Sequence, residues 1–183
     1  ICIGATTQLS PTTGGTWASS NDLVATVTDA GVVTAQGAGT ATFIFTATGG
    51  CASNPTAPVT VSNRPNVNFT GPSIICVGLT TTVAPATGGT WISSNPLVAT
   101  ITNAGLVSGI AQGTATLTFT ETTTGCTSLP LTVTVSPKPT SSVDGPSSIC
   151  IGANTQLLPD TLGTWISNNN SIATITNEGL VTG

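Results

Sequence analysis

The chain repeats itself every 74 residues: Trp17, Trp91 and Trp165 fall 74 apart, and so do Cys2, Cys76 and Cys150. The text around the tryptophans recurs almost unchanged, as Gly15-Thr-Trp-Ala-Ser-Ser-Asn21, Gly89-Thr-Trp-Ile-Ser-Ser-Asn95 and Gly163-Thr-Trp-Ile-Ser-Asn-Asn169. A fixed period of this length specifies an array of like units, each of which buries its own small core, rather than one large domain with a single cleft. The expected modules are residues 1–64, 65–138 and 139–183. Only the second carries every segment of the period; the first lacks its opening strand and the third stops before its longest one.

Within the period the pattern is that of strands. Threonine makes up roughly a fifth of the chain, beside abundant Val and Ile, and these branched side chains fit a pleated surface. In the second copy, strands are expected at Val67–Phe69, Ile74–Cys76, Thr80–Val83, Thr90–Ser93, Val98–Thr102, Leu106–Ser108, Thr114–Glu121 and Leu131–Val135. Ala115, Leu117 and Phe119 alternate with threonines, so one face is buried and the other faces solvent. The triplets Asp29-Ala30-Gly31, Asn103-Ala104-Gly105 and Asn177-Glu178-Gly179 suit three-residue hairpin loops with a left-handed glycine. The fold class is all-β, a tandem of Ig-like β-sandwich modules. A core this small is marginal alone, since a domain of that size buries only about 60% of its unfolded surface.

Composition excludes several classes of function. Charged residues are 4% of the chain and histidine, methionine and tyrosine are absent, which leaves little for general acid–base chemistry. The six carboxylates do not recur in register: Asp29 becomes Asn103 and Asn177, Asp22 becomes Pro96 and Asn170, Glu121 is preceded by Ala47, and Asp160 by Ala86. No catalytic residue and no cofactor are expected. Arg64 and Lys138 are the only basic residues and the net charge is −4, so nucleic acid is not an expected partner. No segment has the 18 or more consecutive apolar residues of a membrane span.

Three residue types invite a functional reading. Trp17, Trp91 and Trp165 could stack on sugars, but recurrence in every copy suits a large aromatic filling each core. Asn21, Asn95 and Asn169 are expected to form turns by bonding backbone two residues on, the nearby acids being too few for calcium. The Asn68-Phe-Thr70 and Asn169-Asn-Ser171 triplets match an N-glycosylation pattern at non-equivalent positions, as chance matches do. Of the five cysteines, Cys2 and Cys51 are 49 apart and Cys76 and Cys126 are 50 apart. One bridge within each module, Cys2–Cys51 and Cys76–Cys126, is the expected pairing because each module then folds independently, with Cys150 left unpaired by truncation. The rival pairing, Cys51–Cys76 and Cys126–Cys150, would staple neighbours, and spacing leaves connectivity open. No metal site is expected, CxxC spacing and histidines both being missing. Regular cysteine pairs point to an oxidising, extracellular setting.

From Trp17 to Val33 and from Trp91 to Val107 the chain reads Trp-Xaa-Ser-Ser-Asn-Xaa-Xaa-Val-Ala-Thr-(Val/Ile)-Thr-(Asp/Asn)-Ala-Gly-Xaa-Val, continued by Gly39-Thr-Ala-Thr42 and Gly113-Thr-Ala-Thr116. This resembles the bacterial Ig-like domains of group 2. The opening Gly-Pro-Ser-Xaa-Ile-Cys-(Val/Ile)-Gly, at Gly71–Gly78 and Gly145–Gly152, is similar to tandem versions in large secreted surface proteins of Bacteroidota. In the third copy Leu162-Gly163 replaces Gly-Gly and Ser167-Asn168-Asn169 replaces Ser-Ser-Asn. The resemblance implies a cell-surface location and export by that phylum's type IX pathway. The triplet Asp160-Thr161-Leu162, present in one copy, is similar to that phylum's O-glycosylation site. Low charge leaves edge strands open to pairing, so the outer threonine faces are expected to be either O-glycosylated or packed laterally in a fibre.

The resulting functional expectation is a mechanical one: a cell-surface stalk or extracellular filament acting as a rigid spacer or self-assembling fibre. The alternative is an adhesin whose modules bind glycans or a surface. Junctions of a few residues with prolines, Asn63-Arg64-Pro65 and Pro137-Lys138-Pro139, favour a rod. The expected partner is the protein itself, through neighbouring modules or subunits completing each other's sheets by strand addition.

Overall fold

The computed structural model describes residues 1–161 and 163–183, and the chain divides into two units, Ile1–Pro137 and Lys138–Gly183. Leu162, and with it the third residue of the Asp160-Thr161-Leu162 triplet, lies outside the described residues.

The first unit holds two sandwiches. Repeat 1 contributes β1 (Thr6–Gln8), β2 (Gly15–Ser19), β3 (Ala25–Val27), β4 (Val32–Ala35), β5 (Gly39–Ala41), β6 (Phe43–Ala47) and β7 (Val59–Val61). Repeat 2 contributes β8 (Asn68–Phe69), β9 (Ile74–Cys76), β10 (Thr80–Ala84), β11 (Gly89–Ser93), β12 (Ala99–Ile101), β13 (Leu106–Gly109), β14 (Gly113–Glu121) and β15 (Leu131–Ser136). In repeat 2 one sheet runs β12-β13-β10-β8 and the other β11-β14-β15-β9. Every strand expected from the sequence of this repeat is present within about two residues of its expected bounds. The parallel pairing of β15 with β9, through Ser136↔Cys76, is decided by tertiary structure.

Each sandwich has its own core. Ile75, Val83, Trp91, Val107, Leu117, Phe119 and Val133 form one, and Trp17, Val33, Ala41, Phe43 and Val61 form the other. The alternation along β14 is realised: Ala115, Leu117 and Phe119 are buried while the threonines between them reach solvent. The three hairpin loops close as their sequences require. The Gly31 and Gly105 amides donate to the carbonyls of Thr28 and Thr102 at 2.8 and 2.9 Å, and both glycines have left-handed φ, 79° and 77°.

Gly89 is a glycine for a packing reason. A Cβ there would collide with the backbone carbonyl oxygen of Thr120 and lie 2.5 Å from the Phe119 ring. The carbonyl cannot retreat without breaking the β11–β14 ladder. Gly89→Ala is therefore expected to destabilise repeat 2 by about 3 kcal/mol, at the upper end of overpacking costs, read as a lower urea midpoint. An unchanged midpoint would show that the strand pair slides apart freely.

The second unit is a four-stranded sheet of order β16-β17-β19-β18, built from β16 (Ser142–Asp144), β17 (Asn154–Leu158), β18 (Thr174–Ile175) and β19 (Leu180–Thr182). It matches the β12-β13-β10-β8 sheet of repeat 2. Its inner face, with Leu157, Ile175 and Val181, lines an open hollow together with Trp165.

Candidate functional site: a disulfide between repeats

The tryptophans occupy equivalent places with unequal shielding. Trp17 and Trp91 are 9% and 5% exposed, whereas Trp165 is half-buried over the open hollow. Each indole Nε1 donates to a proline carbonyl six residues earlier: Pro11 at 2.9 Å, Pro85 at 2.9 Å and Pro159 at 3.0 Å. The buried ring thus has its polar edge satisfied, a partner that the sequence reading missed, although Pro stands six residues before Trp in all three copies.

Trp91 faces Phe119 across β11 and β14, with ring centroids 5.2 Å apart and planes tilted by 54°. Their amides turn away from each other. That of Trp91 donates to Asn103 Oδ1 at 3.1 Å and that of Phe119 to Ser128 Oγ at 3.0 Å. This is the close, non-hydrogen-bonded kind of cross-strand pair, in which side chains pack best. Ser128 is 3% exposed and its Oγ also donates to the Leu129 carbonyl at 2.9 Å. Ser128→Ala leaves the buried Phe119 amide without an acceptor, and a loss of about 1–3 kcal/mol is expected. Ser128→Thr, which keeps the hydroxyl, serves as the control in the same denaturation series.

The asparagines form turns as expected: Oδ1 of Asn21, Asn95 and Asn169 accepts from the amides of Leu23, Leu97 and Ser171 at 3.1, 3.2 and 3.1 Å.

The cysteines correct both expected pairings. Cys2 is bonded to Cys126, with Cα atoms 5.5 Å apart and a sequence separation of 124, while Cys51, Cys76 and Cys150 are free thiols. The topology gives the reason. Cys76 ends β9 beside Ser136, at the far end of β15. Cys126 sits in the loop before β15, where Thr120 pairs with Thr127. The length of that hairpin separates the two cysteines, roughly 20–30 Å at a strand's rise, and a disulfide needs Cα atoms within about 7 Å. A bridge within repeat 2 is therefore excluded by geometry, and the equivalent pair Cys2 and Cys51 is held apart in the same way. The rival pair Cys51–Cys76 would join the outer ends of the two sandwiches. The bond that forms joins the inner ends.

Around this bond the junction is tied by backbone. Cys2 pairs in parallel with Ser62, and the Ile3 amide donates to the Ser62 carbonyl at 3.1 Å. Arg64 Nε donates to the Ile3 carbonyl at 2.9 Å. One of the two basic residues thus anchors the exit of repeat 1, directly before Pro65. A small cleft beside it is lined by Arg64, Pro65, Val67, Leu129 and Leu131. Among the described residues there is no cluster of three or more His, Cys, Asp or Glu side chains able to hold a metal, and no helix long and apolar enough to cross a membrane.

Comparison with known proteins finds a family match within the central repeat. Residues 76–133 match the family model of the bacterial Ig-like domain (group 2), over the segment where the sequence carries that resemblance. Among solved structures, the chain is similar to a C-terminal 282-residue fragment of intimin in complex with the translocated intimin receptor's intimin-binding domain, at 15% identity and a TM-score of 0.43, covering 76% of this chain and 58% of that one. Invasin, a bacterial integrin-binding protein, is similar at 20% identity and a TM-score of 0.39, over 94% of this chain and 46% of that one. Domains 4 and 5 of the S-layer protein SbsC give 22% identity and a TM-score of 0.27, over 68% and 70%. The chain thus spans little more than half the length of the intimin fragment. No curated protein matches it in sequence.

Proposed function

We propose that this chain is the repeat region of an extracellular stalk or filament, a spacer whose modules, bounded at residues 64/65 and 138/139, carry tension and set length. The observation that carries the reading is the Cys2–Cys126 bond, which ties one sandwich covalently to the next across a junction of three residues. A catalyst or a set of independent binding modules gains nothing from such a tie; a load-bearing rod does. The disulfide also fits an oxidising compartment. The family match to a bacterial Ig-like domain agrees with a structural or binding module at the cell surface.

The test is length against copy number. Proteins carrying increasing numbers of the 74-residue period are expected to lengthen by a constant increment per copy in electron micrographs, and to leave a glycan array blank. A length that stops growing with copy number would overturn the spacer reading, and saturable binding to one glycan class would favour the adhesin alternative.

A further inference from the structure

Resting on that spacer reading, we propose that Cys51 and Cys76 are the two open halves of the same inter-repeat staple. Cys51 takes the first cysteine of a repeat placed ahead of it, and Cys76 takes the second cysteine of a repeat placed after it. The partner is another copy of this repeat, bound end to end.

The geometry of the bonded pair is already laid out at both free thiols. Cys126 follows Gly125, whose φ is 71°, and its carbonyl accepts from the Glu121 amide at 2.9 Å beside the Thr120–Thr127 bridge. Cys51 follows Gly50, whose φ is 85°, and its carbonyl accepts from the Ala47 amide at 2.9 Å beside the Thr46–Ala52 bridge. The other half matches equally well. Cys2 and Cys76 pair in parallel with Ser62 and Ser136, and the following amides, those of Ile3 and Val77, donate to the same serine carbonyls at 3.1 and 2.9 Å. Two backbone frames recur, each once bonded and once free.

Burial separates the bonded from the free copy in one frame, Cys126 against Cys51, while bonded Cys2 and free Cys76 are alike partly exposed. Cys126, bonded to Cys2 of the repeat before it, is 0% exposed, whereas Cys51 is exposed. Cys51 and Cys76 cannot satisfy each other, because they lie at the outer ends of two sandwiches joined at their inner ends. Only a further repeat brings the complementary cysteine to either.

Bond formation removes one proton and one electron from each thiol. Both electrons pass to the disulfide of a thiol–disulfide oxidoreductase through a mixed disulfide, and that enzyme leaves as its dithiol. Since each staple spans parts of two repeats, successive staples overlap, and the segment outside one staple lies inside the next.

The experiment duplicates residues 1–74 ahead of Ile1 in the full chain, which keeps the period and completes the opening strand of the resident first repeat. The parent chain has three free thiols. The tandem has two more cysteines, yet is expected to show the same number of maleimide-reactive thiols after denaturation without reductant. Peptide mapping is expected to find the added Cys2 bonded to the resident Cys51, with the resident Cys2–Cys126 bond retained. Two extra reactive thiols, or a bond between the added Cys2 and the added Cys51, would overturn the proposal. Cys51→Ser in the resident copy is expected to free one thiol without disturbing Cys2–Cys126; an added Cys2 still found in a disulfide overturns it as well. These bond maps do not bear on length or glycan binding. A tandem that lengthens by the constant increment but lacks the new bond loses the staple and keeps the spacer reading.

Discussion

Stretched from its ends without reductant, the first sandwich is expected to release no chain when its fold gives way. All of its residues after Cys2 lie inside the loop closed by Cys126, which spans 124 positions. Force passes through the sulfur atoms instead of the strands. With reductant the same loop opens, and at about 3.3–3.6 Å per extended residue the two repeats together yield on the order of 400 Å of new length. Bridges confined to single modules would behave differently. Each would withhold only about 160 Å and would still let the short segments outside it extend in the oxidised molecule. A step from repeat 1 under oxidising conditions would therefore rule out the inter-repeat bond. The bond acts without force too. In the chain-entropy account a loop of this length removes about 5 kcal/mol from the unfolded state, comparable with the whole stability of a domain of this size, about 4–11 kcal/mol. Reduction is expected to lower the unfolding midpoint of residues 1–137 markedly.

The second large effect is expected at Phe119. It is 2% exposed and packs its ring against Trp91, so Phe119→Ala removes a buried aromatic and leaves a cavity, at a cost of about 3–5 kcal/mol. That is enough to unfold a marginal sandwich. The equivalent residue of repeat 1 gives an internal control. Phe45 makes the same tilted contact with Trp17, at 5.2 Å, but it is only half-buried. In repeat 2, Val67 and Phe69 add to the packing around the core. Phe45→Ala is therefore expected to cost clearly less, and Trp165→Ala, at the open hollow of the second unit, less again. Chemical denaturation followed by tryptophan emission resolves the series. Equal losses at Phe45 and Phe119 would mean that the difference in burial between the two rings carries no energy.

Local chemistry determined the elements of this protein. Alternation along Thr114–Glu121 specified a strand with one buried face, since side chains on a strand switch sides at every residue. Gly31, Gly105 and Gly179 specified the hairpins, because the loop needs a left-handed residue. The asparagine turns followed from a side chain that reaches backbone two residues on, and the family resemblance rested on these same short-range patterns. Cysteine pairing was different. Spacings of 49 and 50 residues count positions along the chain, whereas a disulfide depends on which end of the sandwich each sulfur reaches. That was decided by the parallel pairing of β9 with β15, which carries Cys76 to one end, and by the hairpin that leaves Cys126 at the other. Parallel pairing across so many residues has no local signature, because the partner strands share no turn. The period alone identified an array; the tertiary structure decided that its units are joined by sulfur.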